Sequence, residues 1–147
     1  MTTESPWVLV VEDDPADRMA VFRLLERAGY QATVADNDAA ALELLHGEPF
    51  DVVLLALTAG DSEEYAVLRA IKEDGRLHGV LVIAVCPPGG RRAAVRAVEL
   101  GADDYLEKPY EPALLDTRME AVLTKKKLKA REAEYQELRL SSAGRRR

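Results

Sequence analysis

Five short apolar runs, rich in Val, Ile and Leu, recur at regular intervals along this chain. The first, third and fourth runs are almost continuously apolar, as strands that are covered on both faces must be. The runs are Trp7 to Val11, Gln31 to Ala35, Asp51 to Leu55, Val80 to Val85 and Asp104 to Glu107. We therefore predict five β-strands.

The segments between these runs have apolar residues at helical spacing. Examples are Met19, Phe22, Leu25 and Ala28, then Ala41, Leu44 and Leu45, then Tyr65, Leu68 and Ile71. Strands that alternate with helices form a parallel sheet with helices on both faces, so the predicted class is α/β and doubly wound. Ligands of such sheets bind beyond the carboxyl ends of the strands, which makes the residues after each run the candidate site.

Composition fits a single globular domain. The chain has 147 residues, of which 48% are hydrophobic and 31% charged, enough for one core without added cross-links. No run approaches the roughly twenty apolar residues of a membrane helix, and the start lacks signal-peptide character. We therefore expect a cytoplasmic protein without a membrane segment. A single cysteine, Cys86, excludes an internal disulfide and a thiolate zinc cage.

The net charge of −6 is unevenly distributed. Nine basic and three acidic residues lie from Lys125 onward, which leaves eleven basic and twenty-three acidic residues before it. The acidic body does not suit nucleic acid, because neutralising phosphates requires clustered cations. The basic end could contact nucleic acid or anionic lipid, or could simply be a solvated helix. We expect no nucleic-acid partner.

The last predicted helix begins near Pro112 and continues past the part that a small sheet can cover. We assign residues 1–124 to the β/α body, 125–140 to a helical extension and 141–147 to a disordered basic tail. In the extension, Ala121, Leu128 and Tyr135 recur every seven residues. Because Thr124 and Arg131 occupy companion positions, a coiled coil is only weakly indicated.

Two strand ends carry charged groups. Glu12, Asp13 and Asp14 follow the first run, and Lys108 and Pro109 follow the fifth. Adjacent carboxylates repel one another unless a cation is near, whether a metal ion or a lysine. A lysine at a neighbouring strand end could reach these acids or a bound phosphoryl group.

On this β/α pattern, the strings VLVVEDDP and GADDYLEKPY resemble those of the receiver domain of bacterial response regulators. The resemblance covers Trp7 to about Leu123 and implies a flavodoxin-like (βα)5 fold with strand order 2-1-3-4-5. It implies that Glu12 and Asp13 help to hold magnesium and that Lys108 contacts the phosphoryl group. Tyr105 corresponds to the family's switch aromatic on the output face.

Three positions depart from the family's pattern. Ala56 stands where the family has the phosphoryl-accepting aspartate, and a methyl group is no nucleophile. Cys86 stands at the position of the family's hydroxyl residue and is a weak donor. Pro87 follows it and lacks the backbone N–H that normally faces the phosphoryl group. Without a carboxylate at residue 56, we expect at most weak Mg²⁺ binding, no required cofactor and a Lys108 that pairs with Asp13 or Glu12.

Two main hypotheses follow. The first is a pseudo-receiver: a non-enzymatic, phosphorylation-independent module that binds a signalling protein or a second copy of itself. It would use the C-terminal helix or the face formed by the fourth helix, fifth strand and fifth helix, with Tyr105, Arg92 and Arg96. The alternative is a phosphorelay receiver blocked by an engineered Asp-to-Ala change at Ala56. A DNA-binding regulator is a third possibility, but no recognition-helix segment supports it.

Overall fold

The computed structural model describes residues 5–58 and 65–145 of the chain. The strands are β1 (Trp7–Val11), β2 (Gln31–Ala35), β3 (Val52–Ala56), β4 (Leu81–Cys86) and β5 (Asp104–Glu107). The helices are α1 (Pro15–Arg27), α2 (Asp38–Gly47), α3 (Ala66–Glu73), α4 (Arg91–Glu99) and α5 (Pro112–Arg145). A short 3₁₀ turn, Gly75–Leu77, precedes β4.

The strands form one parallel sheet in the order β2-β1-β3-β4-β5. This confirms the predicted class, topology and strand order. Strands β3 and β4 each lie one residue later than predicted. Asp51 precedes β3, and its carboxylate accepts a hydrogen bond from the backbone N–H of Trp7 at 2.8 Å.

Two apolar layers cover the sheet, because successive side chains of a strand point to opposite faces. In β1, Val8 and Val10 pack on the side of α1 and α5, whereas Leu9 and Val11 pack on the side of α2, α3 and α4. Every residue of β4 is buried. The near-continuous apolar runs of the sequence thus correspond to strands enclosed on both faces.

Helix α1 corrects one sequence expectation. Leu25 is buried, but Met19 of the same predicted stripe is 51% exposed. Val21 and Leu24 pack against the core beside Leu25 instead. Spacing of three and four residues allows more than one apolar stripe on this helix, and only contact with the sheet decides which stripe is buried.

Helix α5 is tied to the sheet through Asp103, whose side chain is only 4% exposed. Asp103 accepts hydrogen bonds from the backbone of Val82 at 2.9 Å and from the Lys125 ammonium at 2.7 Å, and Lys72 lies 3.6 Å away. Burial opposes ionisation of this carboxyl, but these cations and hydrogen bonds lower its pKa below the ordinary value. Lys126 also pairs with Asp51 at 2.9 Å, so contacts of the body extend two residues beyond the predicted boundary at 124.

From residue 127 to Ser141 every side chain of α5 is exposed. The helix continues to Arg145, so the prediction of a disordered tail is wrong for residues 141–145, and residues 146–147 lie outside the described part. Ser, Ala and Gly at 141–144 do not stop the helix, since each added residue of a formed helix contributes another hydrogen bond. The exposed part, residues 127–141, spans about 22 Å at 1.5 Å per residue. No helix within the described ranges is long and apolar enough to cross a bilayer.

Candidate functional site

The carboxyl ends of β1, β3, β4 and β5 lie together at one end of the sheet. Register places Val11 beside Leu55, Ala56 beside Val85 and Cys86 beside Glu107. Because the strands are parallel, the residues at and just after their carboxyl ends share one crevice. The structure therefore brings Glu12, Ala56, Cys86 and Lys108 to the same end of the sheet, as the sequence predicts.

The cation of this crevice is Lys108, which precedes a cis Lys108–Pro109 peptide bond. Its ammonium donates to Glu12 Oε1 at 2.5 Å and to Asp17 Oδ2 at 2.8 Å. Glu12 is 5% exposed, so its carboxylate is buried. Burial opposes charging of the ammonium, but the hydrogen bonds to Asp17 and Glu12 raise the pKa of Lys108 above its ordinary value.

The predicted pairing of Lys108 with Glu12 is confirmed, whereas Asp13 does not take part in it. Asp17, in the first turn of α1, is the second partner, and the sequence analysis missed it. The signal was available, since Asp14 and Pro15 predict a helix start that brings residue 17 back over the strand end. Arg18 of the same turn donates to the backbone carbonyl of Glu12 at 3.0 Å.

Asp13 faces a different part of the crevice. It lines a cavity of about 260 Å³, whose other lining residues include Glu12, Asp36, Asp38, Ala56 and Thr58. Burial raises the pKa of Asp38 above the ordinary value. The methyl group of Ala56 therefore borders an acidic cavity, with Lys108 engaged elsewhere.

The acidic groups of this crevice do not form a cluster of metal ligands in the described part of the chain. Within residues 5–58 and 65–145, no three His, Cys, Asp or Glu side chains lie close enough together to share one. Magnesium needs near-octahedral oxygen ligands, and residue 56 offers no oxygen from its side chain.

Cys86 ends β4 and is fully buried. Burial raises the pKa of its thiol, and the nearby carboxylate of Glu107 raises it further. The thiol therefore stays protonated at neutral pH and is a poor nucleophile. Pro87 follows and opens the turn that leads into α4, and the backbone N–H of Gly90 donates to the carbonyl of Pro87 at 2.8 Å.

Comparison with known proteins identifies the family of this domain. The family model of the response regulator receiver domain matches residues 8–120. This chain belongs to the receiver domain family. The domain is 33% identical over 124 residues to the transcriptional activator protein PfeR of Pseudomonas aeruginosa, a match over 84% of this chain and 40% of PfeR.

Two further relatives differ in how much of their own length this chain matches. The two-component response regulator ORR5 of Oryza sativa is 30% identical over 110 residues, covering 74% of this chain and 82% of ORR5. The probable transcriptional regulator ycf27 of Guillardia theta is 34% identical over 116 residues, covering 79% of this chain. This receiver domain spans only 44% of the length of ycf27 and 40% of that of PfeR.

The fold is that of solved receiver domains. A CheY-like response regulator receiver domain protein from Methanospirillum hungatei superposes with a TM-score of 0.74 at 25% identity, covering 85% of this chain and 98% of the other. NtrX from Brucella abortus, whose structure is a complex with ADP, gives a TM-score of 0.81 at 26% identity, covering 88% of this chain and 29% of NtrX.

In this receiver domain the two flanks of α4 carry different groups. Arg91 pairs with Glu107 of β5 at 3.7 Å, whereas Arg92 and Arg96 line a cleft on the side of α3. The structure therefore does not bring Arg92 and Arg96 together with Tyr105, although the sequence analysis grouped them. Consecutive side chains of a helix point about 100° apart, so the neighbouring residues Arg91 and Arg92 lie on different flanks.

The flank of α4 that faces β5 is apolar. Val95 and Val98 follow Arg91 at helical spacing and are 55% and 44% exposed, and Tyr105 of β5 is 40% exposed. Leu114 of α5, 39% exposed, lies on the flank of Arg118, whose guanidinium is 3.7 Å from Asp104 of β5. We call Val95, Val98, Tyr105 and Leu114 the apolar output patch.

Proposed function

We propose that this receiver domain is a pseudo-receiver, which binds a signalling partner without being phosphorylated and catalyses no reaction. The observation that carries the proposal is Ala56 at the carboxyl end of β3, the position of the family's phosphoryl-accepting aspartate. Acyl-phosphate formation requires a carboxylate oxygen to attack phosphorus, and a methyl group offers none. A cytoplasmic location, a two-component-type pathway and the absence of a required cofactor belong to the same proposal.

Three further features of the crevice support it. Lys108 is already neutralised by Glu12 and Asp17 and so is not free for an incoming anion. Cys86 is buried and protonated, and Pro87 has no N–H to donate. Each missing charge-assisted hydrogen bond would remove about 1.5–3 kcal/mol of phosphoryl binding.

The output of such a domain would be constitutive. In the absence of a switching ligand, the populations of its conformations are set by packing alone. The apolar output patch is solvent-exposed in the structure without any modification. Contiguous exposed apolar groups with a charged surround are typical of protein interaction sites, and Arg91, Glu107 and Arg118 provide that surround. The partner is a signalling protein or a second copy of this chain.

Restoring the aspartate tests the phosphorylation part of the proposal. We expect neither the unmodified chain nor Ala56→Asp to accept substantial phosphoryl group from acetyl phosphate with Mg²⁺, as measured by intact mass. Ala56→Asp combined with Cys86→Thr and Pro87→Ala should accept more, because it also returns a hydroxyl and an N–H to the crevice. Efficient phosphorylation of Ala56→Asp alone would favour a blocked phosphorelay receiver instead. Uptake by the unmodified chain would contradict the proposal outright.

Changing the apolar output patch tests the binding part. We expect Val95→Glu with Tyr105→Ala to reduce partner recovery from host lysate, or self-association in sedimentation, by about tenfold or more, because burying an unpaired carboxylate costs more than 1.4 kcal/mol. Val34→Glu on β2 is the matched control, since Val34 is 38% exposed at the opposite sheet edge. Equal loss, or no loss, in both variants would exclude this patch as the interface.

A further inference from the structure

A cleft of about 620 Å³ opens between the start of α3 and the start of α4, on the flank of α4 that faces away from β5. Its described lining residues are Thr58, Tyr65, Arg69, Pro87, Pro88, Gly89, Gly90, Arg92, Ala93 and Arg96. The hydroxyl of Tyr65 donates to the backbone carbonyl of Ala93 at 3.2 Å and so joins the two walls. This cleft adjoins the acidic cavity beside Ala56, because Thr58 lines both.

The charged residues in the described lining of this cleft are all basic. Three arginines line it, and no carboxylate is among the described lining residues. Within residues 5–58 and 65–145, Arg69 and Arg92 have no ion pair, and Arg96 has one exposed pair with Glu99 at 3.3 Å. The body of the chain is otherwise strongly acidic. Three cations around one opening repel each other, and a bound anion would relieve that repulsion.

The backbone at the floor of the cleft adds donors. Pro87 to Gly90 form a tight turn with Gly89 at φ +75°, which is typical of the third residue of a type II turn. A Cβ on Gly90 would lie 2.8 Å from Pro87 Cδ, so only glycine fits there. Gly90 is also the N-cap of α4 and provides no side chain to accept from the first N–H groups. The N-terminus of α4, a nine-residue helix, therefore lies at the cleft beside the arginines, and it carries the positive end of the helix dipole.

We propose that this arginine cleft, defined by Arg69, Arg92 and Arg96, binds a phosphorylated small molecule of the nucleotide class. Arginine forks match the geometry of phosphate oxygens. The volume lies within the range of small-molecule sites, about 300–1,000 Å³, and far exceeds what an inorganic anion fills. Pro87, Pro88, Tyr65 and Ala93 provide the less polar walls against which a ring can pack. The cleft does not depend on phosphorylation at residue 56.

Calorimetric titration of the full chain with ADP, GDP, adenosine and inorganic phosphate tests the proposal. A chelator is present throughout, so that no divalent cation can bridge a nucleotide to Glu12 or Asp13. We expect ADP or GDP to bind, adenosine not to bind and inorganic phosphate to bind more weakly. Arg69→Ala and Arg92→Ala should each weaken nucleotide binding by about tenfold to a hundredfold, the range for one charge-assisted contact.

Arg131→Ala is the matched control, because it removes one equal charge from the exposed part of α5. Unchanged melting temperatures would establish that each variant is folded. Failure of both nucleotides to bind the unmodified chain would overturn the proposal. An equal loss of affinity in Arg131→Ala would also overturn it, since diffuse attraction to the basic end would then explain the binding. Inorganic phosphate binding as tightly as ADP would exclude the nucleotide class.

Discussion

Lys108→Met is expected to lower the free energy of unfolding by about 2–4 kcal/mol. The change removes the cation that contacts Glu12 and Asp17 but keeps an unbranched apolar stem of similar length. Glu12 is 5% exposed and would remain buried without its cation, and an uncompensated buried charge is costly. Asp17 is 44% exposed at its side chain, so water replaces much of its lost contact. Chemical denaturation at pH 7 would measure the effect.

A double variant separates the lost pair from lost packing. Glu12→Gln with Lys108→Met removes both charges, and we expect it to be more stable than Lys108→Met alone, because no buried charge is then left unpaired. If the double variant were less stable than the single one by the full cost of Glu12→Gln, the two side chains would not be coupled. The contact seen between them would then contribute nothing to stability.

The ion pair of Lys108 with Glu12 makes the free energy of unfolding depend on pH under alkaline conditions. The pKa of Lys108 is raised in the folded state, so the folded chain holds this proton more tightly than the unfolded chain. Its contribution to stability is complete below the unfolded-state pKa of about 10.4 and is lost as pH rises through the folded-state pKa. We expect the stability difference between the unmodified chain and Lys108→Met to shrink above about pH 10.4. A difference that stays constant there would contradict the assigned charge state.

Met119→Ala is expected to lower the free energy of unfolding by about 2–5 kcal/mol. Met119 is fully buried where α5 packs on the sheet beside Leu106 and Leu115. Alanine has the higher helix propensity, so any loss reflects the cavity and the lost burial and not the helix itself. Thermal and denaturant unfolding of the full chain would measure it.

Leu128→Ala is the control on the same helix, nine residues further along. Leu128 is 59% exposed, and we expect its truncation to change stability by less than about 0.5 kcal/mol. A large loss for Leu128→Ala, particularly one that depends on protein concentration, would show that the exposed part of α5 is buried in an assembly. The two variants therefore locate where the receiver body ends and where the projecting helix begins.

Much of this fold follows from local pattern. Apolar runs such as VLVV and VIAV cannot be exposed, so they predicted buried strands, and the alternation with helical segments predicted a parallel sheet. Because the strands are parallel, the residues that follow them lie together at the carboxyl end of the sheet. The positions of Ala56, Cys86 and Lys108 in one crevice could therefore be predicted without coordinates. The strand order came from the resemblance to receiver domains, since periodicity does not encode it.

Other features required contacts between distant residues. The second partner of Lys108 is Asp17, 91 residues away, and its approach depends on how α1 leaves β1. Which flank of α4 carries Arg92 and Arg96 depends on helix rotation about its axis, which apolar spacing constrains only loosely. The arginine cleft depends on the placement of the starts of α3 and α4 next to each other.

The amino-acid sequence by itself determined the five strands and the helices between them, the sheet class and the absence of a carboxylate side chain at residue 56. These depend on chain-local properties: side-chain periodicity, turn residues and the chemical identity of one position. Only the tertiary structure decided the partners of Lys108, the buried stripe of α1 and the two faces of α4. Those depend on the relative placement of elements far apart in the chain, where differences of a few kcal/mol in packing select one arrangement.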